Sequence, residues 1–256
     1  MENNVQATSA AGPGEANQTM GFFQRLLGVY FEPRKTYADI GRRPTWLGIW
    51  IIASILAIGT NYVLTTRLDH ETLIRKSLAM NPMTKNLSEE QIEAIVARPQ
   101  TAFSRYSQMI FAPLAILLVY VVIAAVFLLV FVLMGASLTF KKSLAATVWG
   151  MGPPGILVGI FAVILMYIKD PADIEINPTA NVASNLGPLV AEKAHPVLNS
   201  LLSSIDVFSF WTIFLLSLSF AALSDRSLTI KKSATGVLIL WVLWVLGKAA
   251  FFAVFS

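Results

Sequence analysis

Few residues in this chain have the type and spacing that chemistry needs. His70 and His195 fall in different polar stretches, and neither has metal-ligand spacing around it. There is no cysteine, which excludes disulfides, thiolate metal sites and thiol nucleophiles. A two-histidine zinc helix, a nucleophile elbow and a phosphate-cradling glycine loop are all missing. The glycines of "GMGPPG" at 150–155 alternate with two prolines, which remove backbone donors where a phosphate would need them. Gly152, Pro153, Pro154 and Gly155 are better read as a kink or break inside an apolar segment. Lys248 is the one charge deep in such a segment. It could reach the interface by snorkelling, pair with Asp206, the nearest acid in membrane depth, or serve transport or catalysis. Intramembrane catalysis needs facing acids, or a serine with a histidine or lysine partner, and no such set is visible. No catalytic, cofactor-binding or metal residue is expected, so the chain reads as non-enzymatic and free of cofactors.

The elements that would position these residues are membrane helices. The 256 residues are 55% hydrophobic and 13% charged, and mean hydropathy is +0.65. A soluble domain carries about a quarter charged residues. The net charge of +4 is spread between apolar runs, unlike the clustered basic stripe of a nucleic-acid-binding domain. Five runs approach the roughly 20 apolar residues that cross a bilayer. They lie at about 46–65, 109–134, 144–168, 205–223 and 234–255. The expected fold is therefore all-α, a five-helix membrane bundle. Outer loops occupy 66–108 and 169–204.

Basic residues near the span ends set the orientation. Arg25, Arg34, Lys35, Arg42 and Arg43 precede the first run. Lys141 and Lys142 sit in one short turn, and Arg226, Lys231 and Lys232 in another. All three segments fall on one side of a five-span chain, while most acids lie in the two longer loops. The N-terminus reads as cytoplasmic and the C-terminus as external. The two basic turns repeat a phrase: "SLTFKKS" at 137–143 and "SLTIKKS" at 227–233. In each, Thr139 or Thr229 can cap the following helix and the lysine pair can anchor the turn. Convergence of two similar turns and an internal duplication both account for the repeat.

Residues 1–20 are small and polar, with nothing to bury, and should be disordered. From 21 to 45 the chain reads as an amphipathic segment. Phe22, Leu26, Val29 and Tyr30 recur at helical spacing, which suits a helix in the headgroup plane. Pro33 opens a second short helix, with Gly41 as its stop. In the first outer loop, Ser88 and Gln91 form a capping box. The second outer loop looks irregular, with a short helix somewhere after Leu189.

"FEPRKTYADIGRRP", with Phe31, Pro33, Tyr37, Ile40 and Pro44, stands directly before the first run. It resembles the motif that leads into the first span in bacterial members of the Yip family, the Ypt/Rab-interacting membrane proteins. The basic turn at Lys141 and Lys142, followed by a proline-bearing span, is similar to that family's central region. The resemblance covers about residues 22–255. It implies a bacterial inner-membrane protein with five spans and no settled activity. Eukaryotic relatives bind Rab-type GTPases, but the "DLYGP" motif of those relatives is not found here, which speaks against a GTPase partner. The expected role is membrane-organising or scaffolding. The expected partners are the lipid bilayer and a membrane protein or second copy, and nucleic acid is not one. A small transporter or lipid-handling protein is the alternative.

Overall fold

A computed structural model describes residues 19–84, 87–99, 101–190 and 195–255. The expectation for residues 1–20 thus lies outside the described residues up to residue 18. The rest is helical, and no strand occurs among the described residues.

Two ten-residue helices come first, α1 (Phe22–Phe31) and α2 (Pro33–Arg42). Gln24 reaches back to the Gly21 amide at 2.9 Å to close the start of α1, and Pro33 occupies the first position of α2. The α2 helix runs one residue past Gly41, so this glycine is not its stop. Gly41 instead faces the Ala222 carbonyl, which a Cβ would approach to 3.3 Å.

Four helices are long and apolar enough to cross a membrane. They are α3 (Leu47–Arg67), α6 (Ala102–Leu133), α7 (Phe140–Ile168) and α11 (Ile230–Phe255). The fifth apolar helix, α10 (Val207–Leu223), has 17 residues, about 26 Å at 1.5 Å per residue. The segments between the apolar helices add α4 (His70–Met80), α5 (Glu89–Val96), α8 (Pro178–Val182) and α9 (Pro196–Leu202). The Ser88 capping box is present, with Gln91 N donating to Ser88 Oγ at 3.3 Å and Ser88 N to Gln91 Oε1 at 2.9 Å.

Helix α7 is the central element. Its residues Ser143 to Gly150 are all buried, walled in by α6, α10 and the N-terminal pair. Phe131 of α6 and Phe220 of α10 meet with ring centroids 4.7 Å apart. Tyr37 and Ile40 of α2 and Ile49 of α3 belong to the same core. A smaller cluster at the other end joins Val63, Leu64, Ala162, Met166 and Ile174.

Helices α3 and α7 are tied at both ends. The Trp149 indole N–H donates to the Thr45 carbonyl just before α3. At the far end Arg67 donates to the carbonyls of Tyr167 at 3.1 Å and Lys169 at 2.9 Å. The 21 residues of α3 rise about 32 Å, close to the ~30 Å hydrocarbon core of a bilayer. Trp46 and Trp50, with ring centroids 6.3 Å apart, stand at the start of α3. The first nine residues of α7, Phe140 to Val148, run about 13 Å past the level at which Trp149 meets the start of α3. Helix α2 packs on the end of α10, and the two short helices reach α7 at Trp149 and Pro153.

Candidate functional site: a tyrosine clasp on the proline-bearing helix

The expected break at Gly152–Gly155 is absent, because α7 continues as helix through Pro153 and Pro154. A proline inside a helix cannot donate to the carbonyl four residues earlier. For Pro153 that carbonyl belongs to Trp149. Tyr37 supplies the missing donor, its hydroxyl lying 3.0 Å from the Trp149 oxygen. Tyr30 adds a second bond, 2.8 Å to the Pro153 carbonyl. A neighbouring element thus re-satisfies the carbonyl that Pro153 frees, as is general for prolines in membrane helices. Gly152 serves the same packing, since a Cβ there would strike Ile49 of α3.

Holding two tyrosines on α7 requires a rigid α1–α2 hairpin. Arg25 and Asp39 form an ion pair across it at 2.7 Å, with the residues only 5% and 7% exposed. The same guanidinium donates to the Arg43 carbonyl at 3.1 Å and to Thr45 Oγ1 at 2.9 Å. One side chain thus joins α1, α2 and the lead into α3. Such a pair is costly to break, because either partner alone is a buried charge. Close approach of the two helices is possible because Gly28 faces Thr36, whose hydroxyl a Cβ would strike. Phe22 packs on the Trp149 ring, centroids 5.9 Å apart.

Burial shapes the acidity of both hydroxyls. It pushes Tyr30 up to about 12. Tyr37 lies well above the usual tyrosine range, from burial first and the neighbouring Tyr30 second. Both therefore stay protonated and act as donors across any physiological pH. The arrangement locks a backbone and has no group poised to exchange protons near neutrality.

The expected inward and outward faces of α1 are corrected by this packing. Phe22, Leu26, Val29 and Tyr30 point to the protein core and not to lipid. The exposed apolar line is a different one: Phe23, Leu27 and Phe31 are 73%, 60% and 80% exposed.

The two repeated turns lie side by side, the Ser137 amide donating to Ser227 Oγ at 2.8 Å. Both threonine caps form: Lys142 N to Thr139 Oγ1 is 3.4 Å and Lys232 N to Thr229 Oγ1 is 3.3 Å. Lys142 also pairs with Asp225, while Lys141, Lys231 and Lys232 are exposed.

Lys248 and Asp206 come to one end of the bundle but take separate partners. Lys248 Nζ donates to Ser203 Oγ at 3.2 Å. Asp206 caps α10, accepting from the Ser209 amide at 2.9 Å and its hydroxyl at 3.1 Å, and from the Ser184 hydroxyl. Among the described residues no ion pair joins the two. Capping satisfies the carboxylate locally, which removes the need for a distant cation. His70 opens α4 and His195 precedes α9, in separate outer segments.

Sequence reasoning missed Arg25, Asp39 and the two hydroxyls as a unit. The legible signal was Tyr37 ahead of a span, with a proline pair in a later one. A family model described as the Yip1 domain matches residues 27–253, which includes both tyrosines, Asp39 and the proline pair. No curated protein and no solved structure matches the chain.

Proposed function

The chain belongs to the Yip1-domain family, and from that membership we propose a non-enzymatic membrane-organising or scaffolding protein of the bacterial inner membrane. It crosses the bilayer five times, with the N-terminus and the α1–α2 hairpin cytoplasmic and the C-terminus external. Helix α10 is the fourth crossing. Its 17 residues fall short of the slab alone, but α9, packed against α11, fills the outer remainder.

The observation that carries this reading is where the bundle's polar side chains go. Tyr30, Tyr37, Trp50, Trp149, Ser143 and Ser219 all donate to main-chain carbonyls of other elements. Side chains used this way fix helices relative to one another, which suits a platform for partners. The transporter or lipid-handling alternative draws on Lys248, Ser203 and Asp206, gathered at one end of the bundle.

Purification of the full chain in mild detergent, with identification of co-purifying proteins and lipids, tests the proposal. A membrane protein retained in fixed ratio through size exclusion is the expected result. Movement of a solute or lipid across liposomes by the purified protein alone would overturn it.

A further inference from the structure

We propose that the α1–α2 hairpin is a lipid-reading element, seated in the leaflet of the protein's own membrane and selective for anionic phospholipid. It deepens the scaffold reading and rests on the hairpin lying at the cytoplasmic boundary.

The hairpin presents two parallel lines of side chains. On α1, Phe23, Leu27 and Phe31 are spaced four apart and exposed, although the helix's other face is fully engaged with the core. On α2, Arg34, Ala38 and Arg42 have the same spacing and are exposed, with Lys35 beside them. An apolar line beside a basic line is the pattern of a helix lying in the headgroup plane. Three features place the hairpin at that depth. Trp149 bonds the Thr45 carbonyl just before α3, the helix that enters the bilayer there on the five-crossing reading. The hairpin meets α7 at that level, Tyr37 bonding the Trp149 carbonyl and Tyr30 that of Pro153. The apolar line of α1 can reach the acyl region, which interfacial helices enter by about 5–10 Å.

Charge complementarity selects the lipid. Gly41 meets Ala222 at the end of α10, so the end of α2 adjoins the paired turns. Arg42, Arg43, Arg226, Lys231, Lys232 and Lys141, all exposed, thereby extend the basic line toward the paired turns. Each basic residue held near an anionic leaflet is worth about fivefold in binding. Mobile salt would weaken this term, as it screens any exposed charge.

The absence of cysteine makes the test direct. Single cysteines at Phe23→Cys, Leu27→Cys and Ala38→Cys are labelled with an environment-sensitive fluorophore in the full chain, reconstituted in phosphatidylcholine vesicles with or without phosphatidylserine. Spin-labelled lipid and aqueous iodide serve as quenchers. The expected result is lipid quenching at positions 23 and 27 at least threefold above position 38, with iodide showing the reverse. That contrast should grow with phosphatidylserine and shrink in an Arg34→Gln, Lys35→Gln, Arg42→Gln background. Equal iodide quenching at 27 and 38 would overturn the proposal. So would lipid quenching that appears only on dilution of the protein, because a second copy would then cover the face. An unchanged contrast with phosphatidylserine would overturn the anionic selectivity. Orientation is read separately, by an impermeant maleimide on Lys232→Cys in cells. Quenching reports burial in either leaflet, so failure of the orientation and failure of the seating are distinguishable.

Discussion

Replacing Tyr37 by phenylalanine removes one oxygen and leaves the ring in place. In most helices this would cost little, because the acceptor would keep its intrahelical partner. Here the acceptor is the Trp149 carbonyl, and the residue that would normally donate to it is Pro153. The substitution therefore orphans a carbonyl beside a residue with no solvent exposure. An unsatisfied buried group costs about 1–3 kcal/mol, against about 0.5–1.5 for a bond whose loss leaves no orphan. For a chain of this size each kcal/mol shifts Tm by about 2–4 °C, so thermal unfolding in detergent should fall by several degrees. Tyr30→Phe should cost less, because the Pro153 carbonyl still has the Leu157 amide available in a continuous helix. The decisive comparison is a cycle with Pro153→Ala. Alanine restores an N–H to the Trp149 carbonyl, so the Tyr37→Phe penalty should shrink by about 1 kcal/mol or more in that background. Additive losses in the cycle, or a Tyr30→Phe as damaging as Tyr37→Phe, would refute the reasoning that the hydroxyl replaces the proline's missing donor.

The same hydroxyls predict an alkaline limit. Their raised values mean that the folded state keeps protons the unfolded chain releases near pH 10. Stability should then be flat below about pH 9 and decline above pH 10, by up to about 1.4 kcal/mol per unit for each tyrosine; Tyr37→Phe should flatten the slope, and an unchanged slope would exclude Tyr37 as its source. Reporter fusions after Lys142 and Lys232 should read cytoplasmic, and those after Glu90 and Glu192 external; a cytoplasmic signal at Glu192 would end the five-crossing topology. Gln at Lys141, Lys142, Lys231 and Lys232 should weaken orientation in a protein that still folds, whereas Arg at all four should match wild type; failure of Arg would show that the turns recognise something specific. Lys248→Met and Asp206→Asn should give additive losses in thermal stability, since each group has its own partners, and a cycle showing strong coupling would restore the direct pair.

Most of the membrane architecture was legible because it depends on summed local quantities. Apolar length marked four helices long enough to span and a shorter fifth, hydroxyls ahead of lysine pairs marked two caps, and Ser88 with Gln91 marked a third. The ends of those helices were less legible, because they are set by neighbours. Helix α3 runs on to Arg67 because its guanidinium finds the terminal carbonyls of α7. Helix α7 begins at Phe140, earlier than its apolar run, because the Thr139 side chain caps its first turn. The short fourth apolar helix shows the converse: α10 can end at Asp206 because a capping carboxylate and Ser184 satisfy its start.

The clasp was legible only in fragments, and the reason is physical. A proline pair in a span signals an unsatisfied backbone, but pattern alone does not say who satisfies it. Sequence separation hides the answer, since Tyr37 and Trp149 are 112 residues apart. The amphipathic period of α1 was equally ambiguous: apolar residues occupy two faces, and the period cannot tell which one meets protein. The Arg25–Asp39 pair and the tyrosine bonds to α7 decide it together, holding the hairpin so that Val29 and Tyr30 turn inward. That leaves Phe23, Leu27 and Phe31 outside, where neither the core nor any described element covers them. The lines on α1 and α2 therefore depend on how the hairpin is held, in part by one buried ion pair. If Arg25 and Asp39 set the hairpin's rotation, weakening them should disturb lipid contact at Leu27 and the tyrosine bonds together, as one cooperative unit.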